Sequence, residues 1–164
     1  MRILGIDPGS RVTGFGVIDS DGRQSRHVVS GCIRTASKDF SARLGEIFNG
    51  ISEVLEEHAP QQVAVEQVFM AANASSALKL GHARGAAITA AVVAQRPVFE
   101  YTPRAVKLAL VGTGAAEKEQ VQHMIRLLLG LQQQAMGLDE SDALAVALCH
   151  AHTHVNARKL GGLS

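Results

Sequence analysis

Acidic residues at separated points of the chain are the side chains best suited to chemistry. Asp7 follows the apolar residues 3–6 and stands directly before Pro8, where an Asp commonly completes a turn through its own side-chain hydrogen bonds. Glu66 follows the apolar residues 63–65 in a segment that reads as a buried strand. A lone ionised carboxylate in such a strand costs several kcal/mol unless it is paired, hydrogen-bonded or bound to a cation. Alternatively, the strand ends just before Glu66 and the side chain reaches water.

A second pair of acids, Asp139 and Asp142, stands where a helical pattern begins. An Asp at a helix N-cap with another acid three residues later is a common capping arrangement, and both charges favour the positive end of the helix. The same spacing places both carboxylates on one helical face, where both side chains can point toward the same location. We expect Glu140, between them, to point elsewhere and to be solvated.

Taken together, these four acids are more specific than any one of them. The strand that ends at Asp7 and the strand that carries Glu66 can lie side by side, and a helix that begins at Asp139 can pack across both. Like charges do not gather in a small volume without a positive charge to neutralise them. Oxygen ligands suit Mg²⁺ or Mn²⁺ rather than zinc, and such sites commonly hold two ions about 3.5–4 Å apart and act on phosphate esters.

The elements that must position the acids follow from the periodicity of the apolar residues. Strands are predicted at 2–7, 14–18, 24–34, 63–68 and 98–101, and helices at 44–55, 75–95, 103–111, 116–129 and from 139 onward. This order predicts an α/β fold: a mixed five-stranded sheet, antiparallel in its first three strands and parallel in the last two, flanked by helices.

The chain reads as a single domain over 1–154 followed by a polar, frayed tail over 155–164. Three histidines occur near this end, at positions 150, 152 and 154. Because adjacent members of the run point to different faces of a helix, we read them as a helix end rather than as a second metal site.

Charge is distributed unevenly along the chain. The 164 residues are 46% apolar and 19% charged, with a net charge of +1, which indicates a globular protein rather than a disordered one. Residues 67–126 carry a net charge of +4, which leaves −3 for the rest. This asymmetry permits a basic face for a polyanion, but an ordinary solvated surface explains it equally well.

The sequence predicts a cytoplasmic protein without a membrane partner. No signal-peptide pattern opens the chain, and the longest apolar stretch, residues 85–94, is shorter than the roughly 20 residues that span a bilayer. Cys32 and Cys149 lie in apolar surroundings without metal-type spacing, so we expect both thiols to be reduced.

Together with the motifs around them, these residues make the chain resemble the RuvC-type Holliday-junction resolvases over essentially its whole length. The motifs that carry the resemblance are ILGIDPG at 3–9, VEQVF at 65–69, GHARG at 81–85, YTPRAVK at 101–107 and DESDALA at 139–145. The resemblance implies an RNase H-like fold and a homodimer that makes paired, symmetric nicks in four-way DNA junctions during recombination and repair. The nicks would leave 5′-phosphate and 3′-hydroxyl ends.

The resemblance also implies roles for individual residues. Asp7, Glu66, Asp139 and Asp142 would be the catalytic and metal-binding carboxylates, holding two Mg²⁺ ions per subunit, with Mn²⁺ as a substitute. DNA would be contacted by Phe69, Arg104, Lys107 and Lys118, Phe69 by engaging bases at the junction centre. The RuvA–RuvB branch-migration complex is the further partner that the family implies.

Each DNA-binding residue also has an ordinary structural interpretation. The lysines can be exposed helix residues, and Phe69 can be a core contact under its loop rather than a base-stacking group. Small residues on the predicted helix 75–95, namely Ala83, Ala87 and Ala90, would let a second copy approach closely. The alternative is that this helix is buried within one subunit.

Two other functions stay open at this point. The opening at 5–10, followed by Thr13 and Gly14, resembles the phosphate-binding hairpin of actin-like ATPases and sugar kinases, although 164 residues leave no room for their second lobe. A non-catalytic junction-binding scaffold, whose acids are only helix and turn caps, is the other alternative.

Overall fold

Residues 1–68 and 73–161 are described by the computed structural model, the last seven of them as backbone alone. The strands are β1 (Arg2–Asp7), β2 (Val12–Ser20), β3 (Ser25–Arg34), β4 (Gln62–Glu66) and β5 (Val98–Tyr101). The helices are α1 (Phe40–His58), α2 (Ala74–Val93), α3 (Pro103–Val111), α4 (Lys118–Leu129) and α5 (Leu138–Gly161). Every predicted element is present. The helical backbone of α5 continues past the predicted start of the tail, whose fraying stays a prediction.

The five strands form one sheet in the order β3-β2-β1-β4-β5. β1 is antiparallel to β2 and β2 to β3, whereas β4 is parallel to β1 and β5 is parallel to β4. The predicted mixed sheet is therefore confirmed. Since Ile6 pairs with Val65 on parallel strands, the next residues of the two strands, Asp7 and Glu66, come out at the same edge of the sheet.

Both faces of the sheet are covered by helices. Ile3 and Ile18 face α3, α4 and α5 in one apolar cluster, whereas Leu4 and Val17 face α1 and α2 in another. This alternation is the period of two that strand side chains must follow. As the central strand, β1 is buried on both faces, which explains its nearly continuous apolar run.

Three glycines let the backbone of α5 rest directly on the sheet. A Cβ atom at Gly5 would overlap the carbonyl oxygen of Ala143, and one at Gly14 would overlap that of Asp139. At Gly16 it would lie 2.6 Å from the side chain of Leu144. The glycines of β1 and β2 therefore set how closely the first turns of α5 approach the sheet.

One prediction about α2 is wrong. Ala83, Ala87 and Ala90 are at most 1% exposed, because they face the core of their own subunit together with α1 and the sheet. They do not form a surface for a second copy. The opposite face of α2 is the exposed one, and it carries Leu78 and Gly81.

His150 is buried in the core rather than part of a frayed helix end. Its Nδ1 lies 2.7 Å from the hydroxyl of Tyr101 and its Nε2 lies 2.6 Å from Oε1 of Gln62. Because the amide oxygen of Gln62 can only accept, Nε2 donates to it and Nδ1 accepts from Tyr101. His150 thus joins α5 to the first residue of β4 and the last residue of β5.

We expect the stability of the protein to fall in acid partly because of His150. Burial, and secondarily the neighbouring His154, lower the pKa of His150 to about 4. The unfolded chain therefore takes up this proton from about pH 6.5 downward while the folded protein does not, which costs about 3 kcal/mol by pH 4. Urea unfolding of the parent and His150→Gln, at pH 7 and pH 4.5, measures this effect. The variant should lose less stability between the two pH values, and equal losses would contradict the prediction.

Candidate active site

The four acids predicted from the sequence stand around one edge of the sheet. Asp7 is the last residue of β1 and Glu66 the last of β4, on adjacent parallel strands. Asp139 and Asp142 lie in the first turns of α5. Gly14 of β2 pairs with Asp7 of β1 and lies directly under the backbone of Asp139. The start of α5 is therefore held above the end of β1.

The titration of Asp7 reflects this crowding. Burial, followed by the charges of Asp142, Glu66 and Asp139, raises the pKa of Asp7 to about 8. An opposing effect comes from the ammonium group of Lys118. Each of the other three acids is therefore close enough to Asp7 to disfavour its ionised form.

The pKa of Glu66 rises to about 7 for the same reasons, burial first and the charge of Asp142 second. Lys118 and Lys107 oppose this rise. The Nζ atom of Lys118 lies 3.5 Å from Oδ2 of Asp142, whose pKa is also raised, chiefly by burial. The acids thus form a region of negative potential that two lysines only partly neutralise.

Lys118 occupies a position that helix electrostatics disfavour. It is the first residue of α4, after the N-cap Glu117, and a cation at that end opposes the helix dipole. Its pairing with Asp142 supplies a reason for a lysine there. The lysine at position 118 is therefore better explained by the acidic site than by the needs of its own helix.

A cleft of about 340 Å³ opens beside the acids. Its charged lining consists of Glu66, Asp142, Lys107 and Lys118, and its apolar wall includes Val106 and Val121. Oxygen donors and ammonium groups thus share one concave surface, which suits a phosphate group and a hard cation.

The carboxylates are neighbours without forming a closed coordination sphere. Within 1–68 and 73–161, no three His, Cys, Asp or Glu side chains are grouped tightly enough to hold a metal ion as they stand. The donor chemistry nevertheless fits a hard divalent cation, since all four groups offer oxygen and two of them bind protons near neutral pH. A cation would relieve the repulsion that raises these pKa values.

Sequence reasoning missed a contact behind Glu66. Arg84 on α2 lies with its Nε 3.5 Å from the backbone oxygen of Glu66 and its Nη2 2.5 Å from Oε1 of Glu100. Glu100 also accepts a hydrogen bond from the side chain of Gln67. These contacts tie the end of β4 to α2 and β5. The motif GHARG contains Arg84, but its spacing carries no sign of this role.

Glu140 is also placed differently from the prediction. Its carboxylate accepts hydrogen bonds from the Ser30 hydroxyl and from the backbone N–H of Gly137, so the expectation of a solvated side chain is wrong. Arg104 is exposed and its aliphatic part packs over Gly114. Phe69 lies outside the described residues.

A model of the family "Crossover junction endodeoxyribonuclease RuvC" matches residues 3–150. The chain belongs to the RuvC family. The crossover junction endodeoxyribonuclease of Shewanella amazonensis is 56% identical over 160 residues, which cover 98% of this chain and 92% of that protein. The protein is therefore an enzyme of the crossover junction endodeoxyribonuclease class.

Solved structures agree with this assignment. RuvC of Thermus thermophilus is 37% identical and superposes with a TM-score of 0.88, over 96% of this chain and 97% of that one. The same protein in complex with a Holliday junction substrate is 38% identical, with a TM-score of 0.90 and 96% of each chain covered. The yeast mitochondrial Holliday junction resolvase, at 9% identity and a TM-score of 0.74, shares the fold.

Cys32 and Cys149 are both free thiols, the latter buried. In the part of the chain that the structure describes, no helix combines the length and apolar character needed to cross a bilayer.

Proposed function

We propose that this protein resolves four-way DNA junctions by hydrolysing one phosphodiester bond in each of two strands. Asp7, Glu66, Asp139 and Asp142 are the proposed catalytic and metal-binding residues. The observation that carries the proposal is the convergence of these acids beside a cleft that also contains Lys107 and Lys118. Family membership favours this function over an ATP-binding lobe or a non-catalytic scaffold.

Mg²⁺ is the proposed cofactor, with two ions per subunit and Mn²⁺ as a substitute. Such ions lower the pKa of an attacking water and stabilise the departing 3′ oxygen. Asp7 would hold the ions together with Glu66, Asp139 and Asp142, because all three of those acids lie close enough to raise its pKa.

The remaining residues of the cleft act on the DNA. Lys107 and Lys118 are proposed to hold the phosphate next to the scissile bond, where their charges stabilise the additional negative charge of the transition state. The apolar wall of Val106 and Val121 would exclude water from one side of a phosphate bound in the cleft. Arg104 and Phe69 are further proposed DNA contacts.

Two symmetric nicks require two active sites, and we propose that a homodimer supplies them. The exposed face of α2 carries small and apolar residues in one stripe, Leu78, Gly81, Gly85 and Val92. A Cβ atom at Gly81 or Gly85 would meet nothing within 4 Å in the same subunit, so the glycines have no packing role there. A stripe of this kind lets a second helix approach closely.

We also propose that the protein works with the RuvA–RuvB complex and that it is located in the cytoplasm.

The deciding experiment compares a synthetic four-way junction with a linear duplex of the same sequence, with and without Mg²⁺. Paired nicks should form in the junction only, and only with the metal, and a ligase should reseal them. Equal cutting of the duplex would contradict junction selectivity. Binding without cutting in Mg²⁺ or Mn²⁺ would favour the scaffold instead.

Removing the charge of Lys118 should weaken junction binding and its dependence on salt. For Lys118→Met, we expect the slope of log affinity against log salt to fall by about 1, because one phosphate contact is lost. Filter binding in metal-free buffer over a range of NaCl concentrations measures this slope. Lys38→Met, an exposed residue before α1, is the matched control and should keep the parent slope. If both variants behave alike, Lys118 does not contact a phosphate.

A further inference from the structure

The first turn of α5 is tied to the edge strand β3 by a chain of side chains. Oε1 of Glu140 lies 2.5 Å from the hydroxyl of Ser30, and Nε2 of His27 lies 2.7 Å from the same hydroxyl. A carboxylate can only accept, so Ser30 donates its proton to Glu140, and His27 must donate to Ser30. This assigns the donor and the acceptor in both hydrogen bonds.

The same carboxylate also closes the start of the helix. Its Oε2 accepts a hydrogen bond of 3.3 Å from the backbone N–H of Gly137, one residue before α5 begins. Glu140 therefore joins the sheet edge, through Ser30, to the residue that precedes the helix. No part of this arrangement lies in the cleft itself.

The position of Glu140 within α5 gives these contacts their significance. Each residue of an α-helix is rotated by about 100° from the one before it, so fixing Glu140 on β3 also fixes the directions of Asp139 and Asp142. Gly14 sets the height of the same turn above the sheet, because the backbone of Asp139 rests on it. Height and rotation of the first turn are thus set by two separate features.

The mutual repulsion of the acids gives the turn a reason to be held. Asp139 and Asp142 of α5 both lie close enough to Asp7 of β1 for their charges to act on it, and like charges on two packed elements favour a wider separation of those elements. The hydrogen bonds that Glu140 accepts from Ser30 and Gly137 hold the turn on β3 and oppose that separation. A helix end held only by apolar packing could rotate or fray under the same repulsion.

We propose that Ser30 and His27 are positioning residues, which act through Glu140 to fix the rotation of α5 and so preset the metal-binding geometry of Asp139 and Asp142. This inference rests on the proposed function of the cleft. Neither residue lines the cleft. They lower the free energy that is lost when the site becomes ordered around a cation.

The test uses the full-length protein with Ser30→Ala, Ser30→Thr and His27→Ala. Titration calorimetry with Mn²⁺ in the absence of DNA should show affinity about tenfold weaker for Ser30→Ala. His27→Ala should change in the same direction by less, whereas Ser30→Thr keeps the hydroxyl and should stay close to the parent. Junction affinity in metal-free buffer should not change in any of them.

The control is Ser52→Ala on α1, whose hydroxyl donates only within its own helix, to the oxygen of Phe48. A general loss of stability would lower Mn²⁺ affinity in this variant too, and the melting temperatures of all four variants show whether it occurs. Parent-like Mn²⁺ affinity in Ser30→Ala would overturn the proposal. So would an equal loss in Ser30→Thr, because the hydroxyl would then not be the responsible group.

Hydrogen exchange separates this inference from the function on which it rests. In metal-free protein, the amides of 139–143 should exchange faster in Ser30→Ala than in the parent, and those of α1 should not change. If the parent neither binds Mn²⁺ nor cuts junctions while this difference is present, the proposed function has failed and the positioning role of Ser30 in the helix has not. Equal exchange in the two proteins would overturn the positioning role itself.

Discussion

Asp7→Asn is expected to lower junction nicking at saturating Mg²⁺ by on the order of a thousandfold. The side chain keeps its size and loses its charge, so the fold is retained while one of the proposed metal-binding oxygens becomes a poorer ligand. In the parent, Asp7 is the acid whose pKa rises to about 8, through burial and three neighbouring charges. A divalent cation would neutralise the repulsion between these charges. An amide at this position removes one of the charges and so weakens the attraction for the cation.

Single-turnover nicking of a labelled junction measures the effect, and junction binding in metal-free buffer shows whether the surface is intact. We expect Asp7→Asn to bind the junction and to be at least as stable as the parent in metal-free buffer, because Asn has no charge to desolvate. Asp21→Asn, the same change in an exposed turn between β2 and β3, should nick normally. Nicking by Asp7→Asn within tenfold of the parent would rule out the proposed role.

Gly14→Ala should have the next largest effect, without changing any carboxylate. The added methyl group would overlap the carbonyl oxygen of Asp139, so α5 must move away from the sheet. Overpacking of this kind costs about 1–3 kcal/mol of stability, and a displacement of about 1 Å at a catalytic group can cost about a hundredfold in rate. We therefore expect a folded, less stable protein that binds junctions and cuts them on the order of a hundredfold more slowly.

The matched control is Gly45→Ala on α1, where a Cβ atom would meet nothing within 4 Å. There, alanine should stabilise the helix by up to about 1 kcal/mol and leave nicking unchanged. Thermal unfolding and the Mg²⁺ dependence of nicking should be measured for both variants. If Gly14→Ala cuts at the parent rate, the close approach of α5 to β2 is not needed for the reaction.

The sequence by itself predicted the acidic residues of the site and the local elements of this protein. The apolar runs before Asp7 and Glu66 predicted two buried strands, because period-two and continuous apolar patterns reflect burial on one or both faces of a sheet. The spacing of Asp139 and Asp142 predicted two acids on one helical face, since that geometry is local to a single turn. The resemblance to a known family supplied the nuclease function, which comparison with related proteins then supported.

Interactions between residues far apart in the chain were decided only by the tertiary structure. Ala83 and its neighbours on α2 could face a partner or the core, and only the packing of α1 against α2 made them core residues. Glu140 was predicted to be solvated, because nothing near it in sequence indicates Ser30, which lies 110 residues away. His150 is buried because β4 and β5 bring Gln62 and Tyr101 to it. Spacing along the chain specifies geometry within one helix or strand, whereas the meeting of distant side chains depends on how whole elements pack.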